Sequence, residues 1–390
     1  MKVKVCHLTT VHWAYDIRVF YKECQSLAKA GYEVVLIARH DKSESIEGVN
    51  IVPCPLFKNR LARVLFAPLR MFFLALKQRA KVYHFHDPEL LVTGLLLRLF
   101  TRAKVIYDIH EDYKTSIRQK HYLSRRIAAA ASIFFGFFES AAAKSFKLVL
   151  AEKYYEKRFP KGIHVLNYPI IEADRWEDST FGEDSALSQP RYHRPLPGGS
   201  VPGNYHLLYT GTMSEDRGAL LYAEMLDYLK AIDIFMVGFC RKNLAQQVRE
   251  IAGKEHARLH LEGEEEFVHP ARVQYYYQEG KWLAGLAVFP PTTHYMNKEL
   301  TKFFEYMLAG IPVICSDFPV WRELIEETNA GLLVDPFDRQ AITDAVEYLK
   351  THPGESSQMG KNGRRAVLER YNWNIEGEKL LGLYQQILKI

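Results

Sequence analysis

Lys302-Phe-Phe-Glu305-Tyr-Met-Leu-Ala-Gly310-Ile-Pro312-Val-Ile-Cys-Ser-Asp317 reads as a short helix, a Gly-Pro stop and a buried strand. At helical spacing Phe303, Phe304, Met307 and Leu308 share one face, while Lys302 and Glu305 share the opposite one. Gly310 suits a left-handed cap, and Pro312 bars the helix from continuing. The run Val313-Ile314-Cys315 suits a strand covered on both faces of a parallel sheet. A carboxylate and an ammonium are thus presented together where a strand-flanked helix begins, at the ligand edge of an open α/β sheet.

The same alternation extends in both directions. After residue 203, strand-like runs fall at His206–Tyr209, Ile232–Val237, Arg258–Leu261, Gly285–Phe289, Val313–Cys315 and Gly331–Val334, with helices between them. Before residue 170 they fall at Val3–Thr9, Glu33–Ala38, Val49–Pro53, Val82–His86, Lys104–Ile109, Leu148–Ala151 and Ile163–Leu166. Helix-length segments such as Arg18–Ala30, Pro88–Phe100 and Ser124–Lys144 separate them. Strands alternating with helices imply mostly parallel sheets. A Pro-, Gly- and Ser-rich stretch over 171–203 is the expected linker between domains 1–170 and 204–374. The last helix, 375–390, is expected to pack back on the first domain.

A chain of 390 residues exceeds one ordinary core, and 48% hydrophobic with 25% charged residues suits a folded soluble protein. The five cysteines are scattered and show no C-x-x-C pair, which favours reduced packing residues in a cytoplasmic chain. The N-terminus carries no secretory pattern, and the longest apolar run, Ile127 to Phe138, is too short to span a bilayer. Charge is divided unevenly: residues 1–170 carry +14 and residues 171–390 carry −9. The basic half is expected to meet something anionic.

Glu305 and Lys302 suit a nucleotide site, the carboxylate accepting two ribose hydroxyls and the ammonium meeting phosphate. The structural alternative is that Glu305 complements the helix dipole with Thr301 as N-cap. The run Lys302-x-x-Glu305-Tyr-Met-x-Ala-Gly310-x-Pro312-Val resembles the donor-site signature of the retaining glycosyltransferases of family four. Supporting runs follow in order: Tyr15-Asp16-x-Arg18-Val-x-x-Lys22-Glu23, His84-Phe-His86-Asp87-Pro88-Glu89, Tyr107-Asp108-Ile-His110-Glu111-Asp112, Tyr209-Thr-Gly211-Thr with Arg217-Gly218, and Val237-Gly238. The resemblance covers essentially the whole chain. It implies an α/β GT-B architecture: two doubly wound, Rossmann-like domains facing each other across a cleft.

The resemblance also implies roles. Glu305 stands where the family's second glutamate holds the donor ribose. Arg217, before Gly218, occupies the usual lysine position at the donor diphosphate, where a guanidinium can act in bidentate fashion. The helix after Gly218 points its N-terminus at the same spot. Gly211 and Gly238 are placed in the donor site, and His110 is the group that reaches the donor sugar and leaving phosphate. Two positions depart from the pattern: the family's arginine is Thr212, and its first glutamate is Lys298. Lys302 is expected to supply the missing cation, with Asn297 and Lys298 near the sugar. Asp16, Arg18 and His86 are expected on the acceptor side, with Asp16 either orienting an acceptor hydroxyl or pairing with Arg18.

His84, His86, His110, Asp87, Asp108, Glu111 and Asp112 include metal-ligand residue types, but no pair has a tight local metal spacing, so no metal is expected. No G-x-G-x-x-G occurs, which argues against a dinucleotide cofactor, and none is expected beyond the nucleotide-sugar co-substrate. Two stretches mix cations with large apolar residues, Phe57–Leu74 and Arg125–Phe138, and suit peripheral contact with an anionic membrane. No nucleic-acid-binding module is visible. The expectation is a retaining, metal-independent glycosyltransferase at the inner face of the plasma membrane. Its acceptor would be a saccharide, lipid-linked, in cell-surface polysaccharide synthesis. The rivals are a nucleotide-sugar epimerase on the same architecture and a non-catalytic partner in an assembly complex.

Overall fold

The computed structural model describes residues 2–54, 60–110, 125–171 and 203–389. The expected linker falls outside them except for its two end residues, and Glu111 and Asp112 lie outside as well. The chain divides into two compact units, Met1–Ile170 with Trp373–Ile390, and Ile171–Asn372.

In the first unit the strands are β1 (Lys4–Trp13), β2 (Glu33–Arg39), β3 (Glu44–Ile46), β4 (Val49–Cys54), β5 (Val82–Phe85), β6 (Lys104–Ile109), β7 (Lys147–Leu150) and β8 (Ile163–His164). They form one sheet in the order β3-β4-β2-β1-β5-β6-β7-β8. Every pairing is parallel except the edge hairpin of β3 with β4. Val5, Cys6 and Leu8 of β1, and all of β5, are buried, as a doubly covered parallel sheet requires. The helix Trp373–Leu388 belongs to this unit. Trp373 N donates to the Pro169 carbonyl (2.7 Å), Glu376 Oε2 accepts from Leu166 N (2.8 Å), and Trp373 Nε1 donates to Ser26 Oγ (2.9 Å). A buried carboxylate capping a loop amide holds this segment more specifically than apolar contact alone.

In the second unit the strands are β9 (Tyr205–Thr210), β10 (Ile232–Cys240), β11 (Leu259–Glu264), β12 (Trp282–Ala287), β13 (Val313–Ser316) and β14 (Gly331–Val334). They form an all-parallel sheet in the order β11-β10-β9-β12-β13-β14. The quoted stretch is the helix Thr301–Leu308, the left-handed Gly310 (φ +72°) and β13. Phe303, Phe304, Met307 and Leu308 are buried, and Trp321 stacks edge-on to Phe303 and Phe289 beneath them. The N-cap is Leu300, with no side-chain cap, so Thr301 does not fill that role.

Both sheets reverse winding beside their first strand: β1 lies between β2 and β5, and β9 between β10 and β12. At such a switch point the loops splay apart, and ligands bind outside the carboxyl ends of the strands.

Candidate active site

At the switch point of the second unit, glycines replace side chains with backbone. Gly211 (φ +111°) follows β9 and Gly238 (φ +146°) lies within β10. A Cβ on Gly238 would land on the Gly211 carbonyl, and one on Gly218 would land on the Val288 carbonyl. Only glycine allows these backbones to approach so closely at positive φ. Gly218 also precedes the helix Ala219–Tyr228, whose first turn has no side-chain cap and no acidic residue. Ala219 N donates to the Ser214 carbonyl (3.2 Å), and the dipole of this first turn, with no side chain capping it, favours an anion.

Three charged side chains surround this ledge. Arg217 donates from Nε to Tyr295 Oη (2.8 Å) and from Nη1 to the Thr212 carbonyl (3.4 Å). Lys302 places Nζ 3.7 Å from where a Gly211 Cβ would stand, over the rings of Tyr209 (3.7 Å to the centroid) and Phe289 (5.0 Å). Its Nζ is shielded from solvent and has no hydrogen-bond partner. Burial, then the charge of Arg217, pushes its pKa well below the ordinary lysine value, with Glu305 opposing. Glu305 Oε2 accepts from Tyr277 Oη (2.9 Å), Tyr277 Oη meets Thr210 Oγ1 (2.8 Å), and Thr210 N donates to Tyr306 Oη (3.0 Å). That chain of hydroxyls ties the carboxylate to the end of β9. Asn297 is turned into its own loop, donating to the Thr293 carbonyl (3.0 Å), while the Lys298 carbonyl accepts from Trp321 Nε1 (2.6 Å). The structure thus gathers Gly211, Gly238, Arg217, Lys302 and Glu305, and leaves Asn297 engaged in holding its turn.

At the switch point of the first unit the charged residues turn inward. Asp16 caps a helix with wide, π-type turns, Ile17–Cys24, accepting from Arg18 N and Val19 N (2.9 Å each) on Oδ1 and meeting His12 Nδ1 (3.0 Å) on Oδ2. Its carboxylate is used on backbone and His12, not on the Arg18 guanidinium. Arg18 is itself buried and makes a bidentate pair with Asp108, Nε to Oδ2 and Nη2 to Oδ1 at 3.0 Å each. Burial opposes charge on Asp108, but Arg18 and His110 prevail and hold the carboxyl well below its usual range.

His110 is half-buried, with Nε2 near Asp108 Oδ2, 3.2 Å from Arg18 Nε and 3.3 Å from His86 Nδ1. Its carbonyl accepts from Tyr155 Oη (2.8 Å). His86 is buried, and burial is the main cause that lowers its pKa to about 4. Asp87 stitches β5 to the end of β1, accepting from Thr9 Oγ1 (2.9 Å) and Val11 N (3.2 Å) on Oδ2. Of the expected acceptor-side residues, Arg18 and His86 are interior groups, and Asp16 lies nearer the surface, as do His12 and His110. Sequence reasoning left His7, Glu23, Tyr277 and Tyr384 unassigned. His7 lies in a strand buried on both faces, where alternation does not single it out, and Glu23 was visible in the Tyr15–Glu23 run without a role. Tyr277 and Tyr384 carry no local signal.

Two doubly wound units, one bearing a cationic, glycine-floored switch point, define the GT-B class of fold. Family models agree: residues 18–158 match the model described as Glycosyltransferase Family 4, and residues 267–366 match Glycosyl transferases group 1. The chain belongs to this glycosyltransferase family. An alpha-D-kanosaminyltransferase of Streptomyces kanamyceticus is 30% identical over 83 residues, 21% of this chain and 22% of the relative. The match therefore spans about a fifth of that relative's length. Among solved structures, the sucrose-phosphate synthase of Thermosynechococcus elongatus superposes with TM-score 0.73 at 16% identity, covering 100% of both chains. The Anabaena protein HepE, solved in complex with UDP, gives 0.65 at 12% identity, covering 99% of this chain and 100% of its own. At such identities the likeness establishes the fold.

Proposed function

We propose that this protein transfers a sugar from a nucleotide-diphosphate donor to a hydroxyl of a saccharide acceptor, with retention at the anomeric carbon. The observation that carries the reading is the set of Arg217, Lys302 and the uncapped helix N-terminus at Ala219, beside Glu305, on the Gly211–Gly238 ledge. Glu305 takes the ribose hydroxyls. Arg217, Lys302 and the helix amides take the diphosphate. As the glycosidic bond breaks, negative charge grows on the departing phosphate, and fixed cations in a partly dehydrated site stabilise it without reorganising. Those cations supply the charge that a metal at the diphosphate would otherwise supply. Retention is assigned to attack from the face that the leaving group vacates, the departing phosphate taking the acceptor proton. His110, held by Asp108, is assigned to the donor sugar.

The acceptor is assigned as a lipid-linked saccharide of a surface-polysaccharide pathway. In the first unit, Phe66, Leu69, Phe73 and Leu76 expose a helical stripe beside exposed Arg70 and Lys77. Ile133, Phe134 and Phe137 expose another on the helix Arg125–Ala143, whose Arg126 is also exposed. Apolar stripes rimmed with cations favour seating on an anionic lipid surface. No described helix is long and apolar enough to cross a membrane.

Calorimetry with UDP, GDP and ADP, then donor hydrolysis with the matching sugar nucleotides, tests the donor assignment. Binding of one nucleotide that Glu305→Ala weakens is expected. Absence of binding by the intact protein, or binding indifferent to that substitution, would overturn it. Conversion of the donor sugar with no acceptor present would instead point to an epimerase.

A further inference from the structure

Glu23 is fully buried, and no hydrogen-bond partner is aligned on either carboxylate oxygen. Its Oε1 lies 3.1 Å from Arg18 Nε. Its Oε2 faces three buried imidazoles, 3.8 Å from His7 Nδ1, 3.7 Å from His84 Nδ1 and 3.9 Å from His86 Nε2. His7 Nδ1 and His86 Nε2 are 3.0 Å apart, and the four side chains offer ligand atoms all within 4.8 Å of one another.

We propose that His7, Glu23, His84 and His86 bind one divalent metal ion of the zinc type in the interior of the first unit. Tetrahedral zinc with bonds of roughly 2.0–2.2 Å sets its ligand atoms roughly 3.3–3.6 Å apart. The three Glu23 Oε2 separations and the His7–His86 separation, 3.0 to 3.9 Å, lie within a few tenths of an ångström of that geometry, and His84 closes toward the two other imidazoles from within 4.8 Å. Three imidazoles and a carboxylate suit zinc among the first-row ions, and a closed set of four with no open position suits a structural ion.

The second ring nitrogens of His7 and His86 support the assignment, while that of His84, Nε2, is buried without a hydrogen-bond partner. Tyr384 Oη lies 3.2 Å from His7 Nε2, and Asp108 Oδ2 lies 3.3 Å from His86 Nδ1. Such outer contacts fix the tautomer of a metal-bound histidine. Tyr384 Oη also lies 3.0 Å from His84 Nδ1, a contact that the ion displaces. Arg18 lies between two buried carboxylates, paired bidentately with Asp108 and 3.1 Å from Glu23 Oε1, which leaves Glu23 Oε2 facing the imidazoles. A neighbouring group, Glu23, His86, Asp108 and His110, is spatially compact too, but Arg18 already occupies its cationic position. The expectation of no metal rested on local spacing. Here β1, β5 and the helix Ile17–Cys24 deliver ligands from separate parts of the chain, so local spacing carries no signal. The ion would lock these elements together and, through Tyr384, the C-terminal helix onto them.

The test uses the full-length protein, with any affinity tag removed, grown in zinc-supplemented medium. Elemental analysis is expected to give one zinc per chain. Cobalt(II) added to the chelator-stripped protein is expected to give the intense visible bands of tetrahedral coordination. Stripping should lower the melting temperature, and zinc at about a hundredfold excess over its dissociation constant should raise it by about 5 °C or more. Glu23→Gln and His84→Ala should abolish the cobalt bands, and exposed His352→Ala should keep them. Because the wild-type measurements need no variant, a misfolded substitution leaves the test intact. Metal-free wild type, silent with cobalt and unchanged in melting on adding zinc, would overturn the proposal. His7, His86 and Glu23 would then share protons and not an ion.

Discussion

Lys302→Met separates what this side chain does for the fold from what it does for the donor. In the free protein its Nζ has no hydrogen-bond partner and sits over Tyr209 at 3.7 Å. An unmet buried polar group costs about 1–3 kcal/mol, and a thioether of similar length keeps the packing on the Tyr209 ring, so the substitution should hold or raise the unfolding free energy, by up to about 3 kcal/mol. Donor binding should respond quite differently. A charge-assisted hydrogen bond to phosphate is worth about 1.5–3 kcal/mol, so nucleotide-sugar affinity should fall roughly 10- to 150-fold. Arg217 keeps the loss from being complete.

Proton linkage gives a second readout. The lysine pKa is well below normal in the free protein, and a bound diphosphate raises it, so binding takes up protons at pH values between the two. In the same sense the folded chain binds fewer protons here than the unfolded chain, and stability climbs as pH rises toward the unfolded lysine value of about 10.4. Calorimetry of a nucleotide-diphosphate sugar across the neutral-to-alkaline range, in buffers of different ionisation enthalpy, should show net uptake for wild type. Lys302→Met and Lys302→Arg should show none, since arginine stays charged throughout. Wild-type binding without proton uptake across the neutral-to-alkaline range, or Lys302→Met binding donor as wild type does, would refute the reasoning.

Gly238→Ala should destabilise the second unit by about 3 kcal/mol or more in denaturant titration, because its Cβ would land on the Gly211 carbonyl at an unfavourable φ of +146°. Arg18→Met should cost about 3–5 kcal/mol by the same assay, since it strands the buried Asp108 carboxylate. Tyr277→Phe should weaken donor binding less than Glu305→Ala does, because it loosens the carboxylate without removing it. Phe134→Ser combined with Phe137→Ser should reduce flotation with anionic liposomes while leaving donor hydrolysis in solution unchanged.

Much of the architecture was readable from local pattern. Period-two and period-3.6 hydrophobicity located most strands and helices, because burying one face of each element is a local demand on sequence. The Lys302–Asp317 stretch is the clearest case: its helix, left-handed Gly310 and buried strand stand where spacing puts them. Gly211, Gly218 and Gly238 were placed by the family resemblance, and the close backbone approach that Gly218 and Gly238 permit showed only once their neighbours were in place. What surrounds them was not announced. That the Lys302 ammonium rests on Tyr209, and that Glu305 is held through Tyr277 and Thr210, depends on β9 lying beside β12.

The first unit shows the limit more sharply. Its sequence determined that acidic and imidazole groups gather near strand ends, a matter of composition and alternation. Only the tertiary structure decided which are interior, turning Arg18 and His86 into buried partners and joining His7, Glu23 and Tyr384 from 377 residues of separation. Hydrophobic period records which way a residue faces. The partner it meets there is set by strand order, and strand order is a long-range choice that local pattern does not encode.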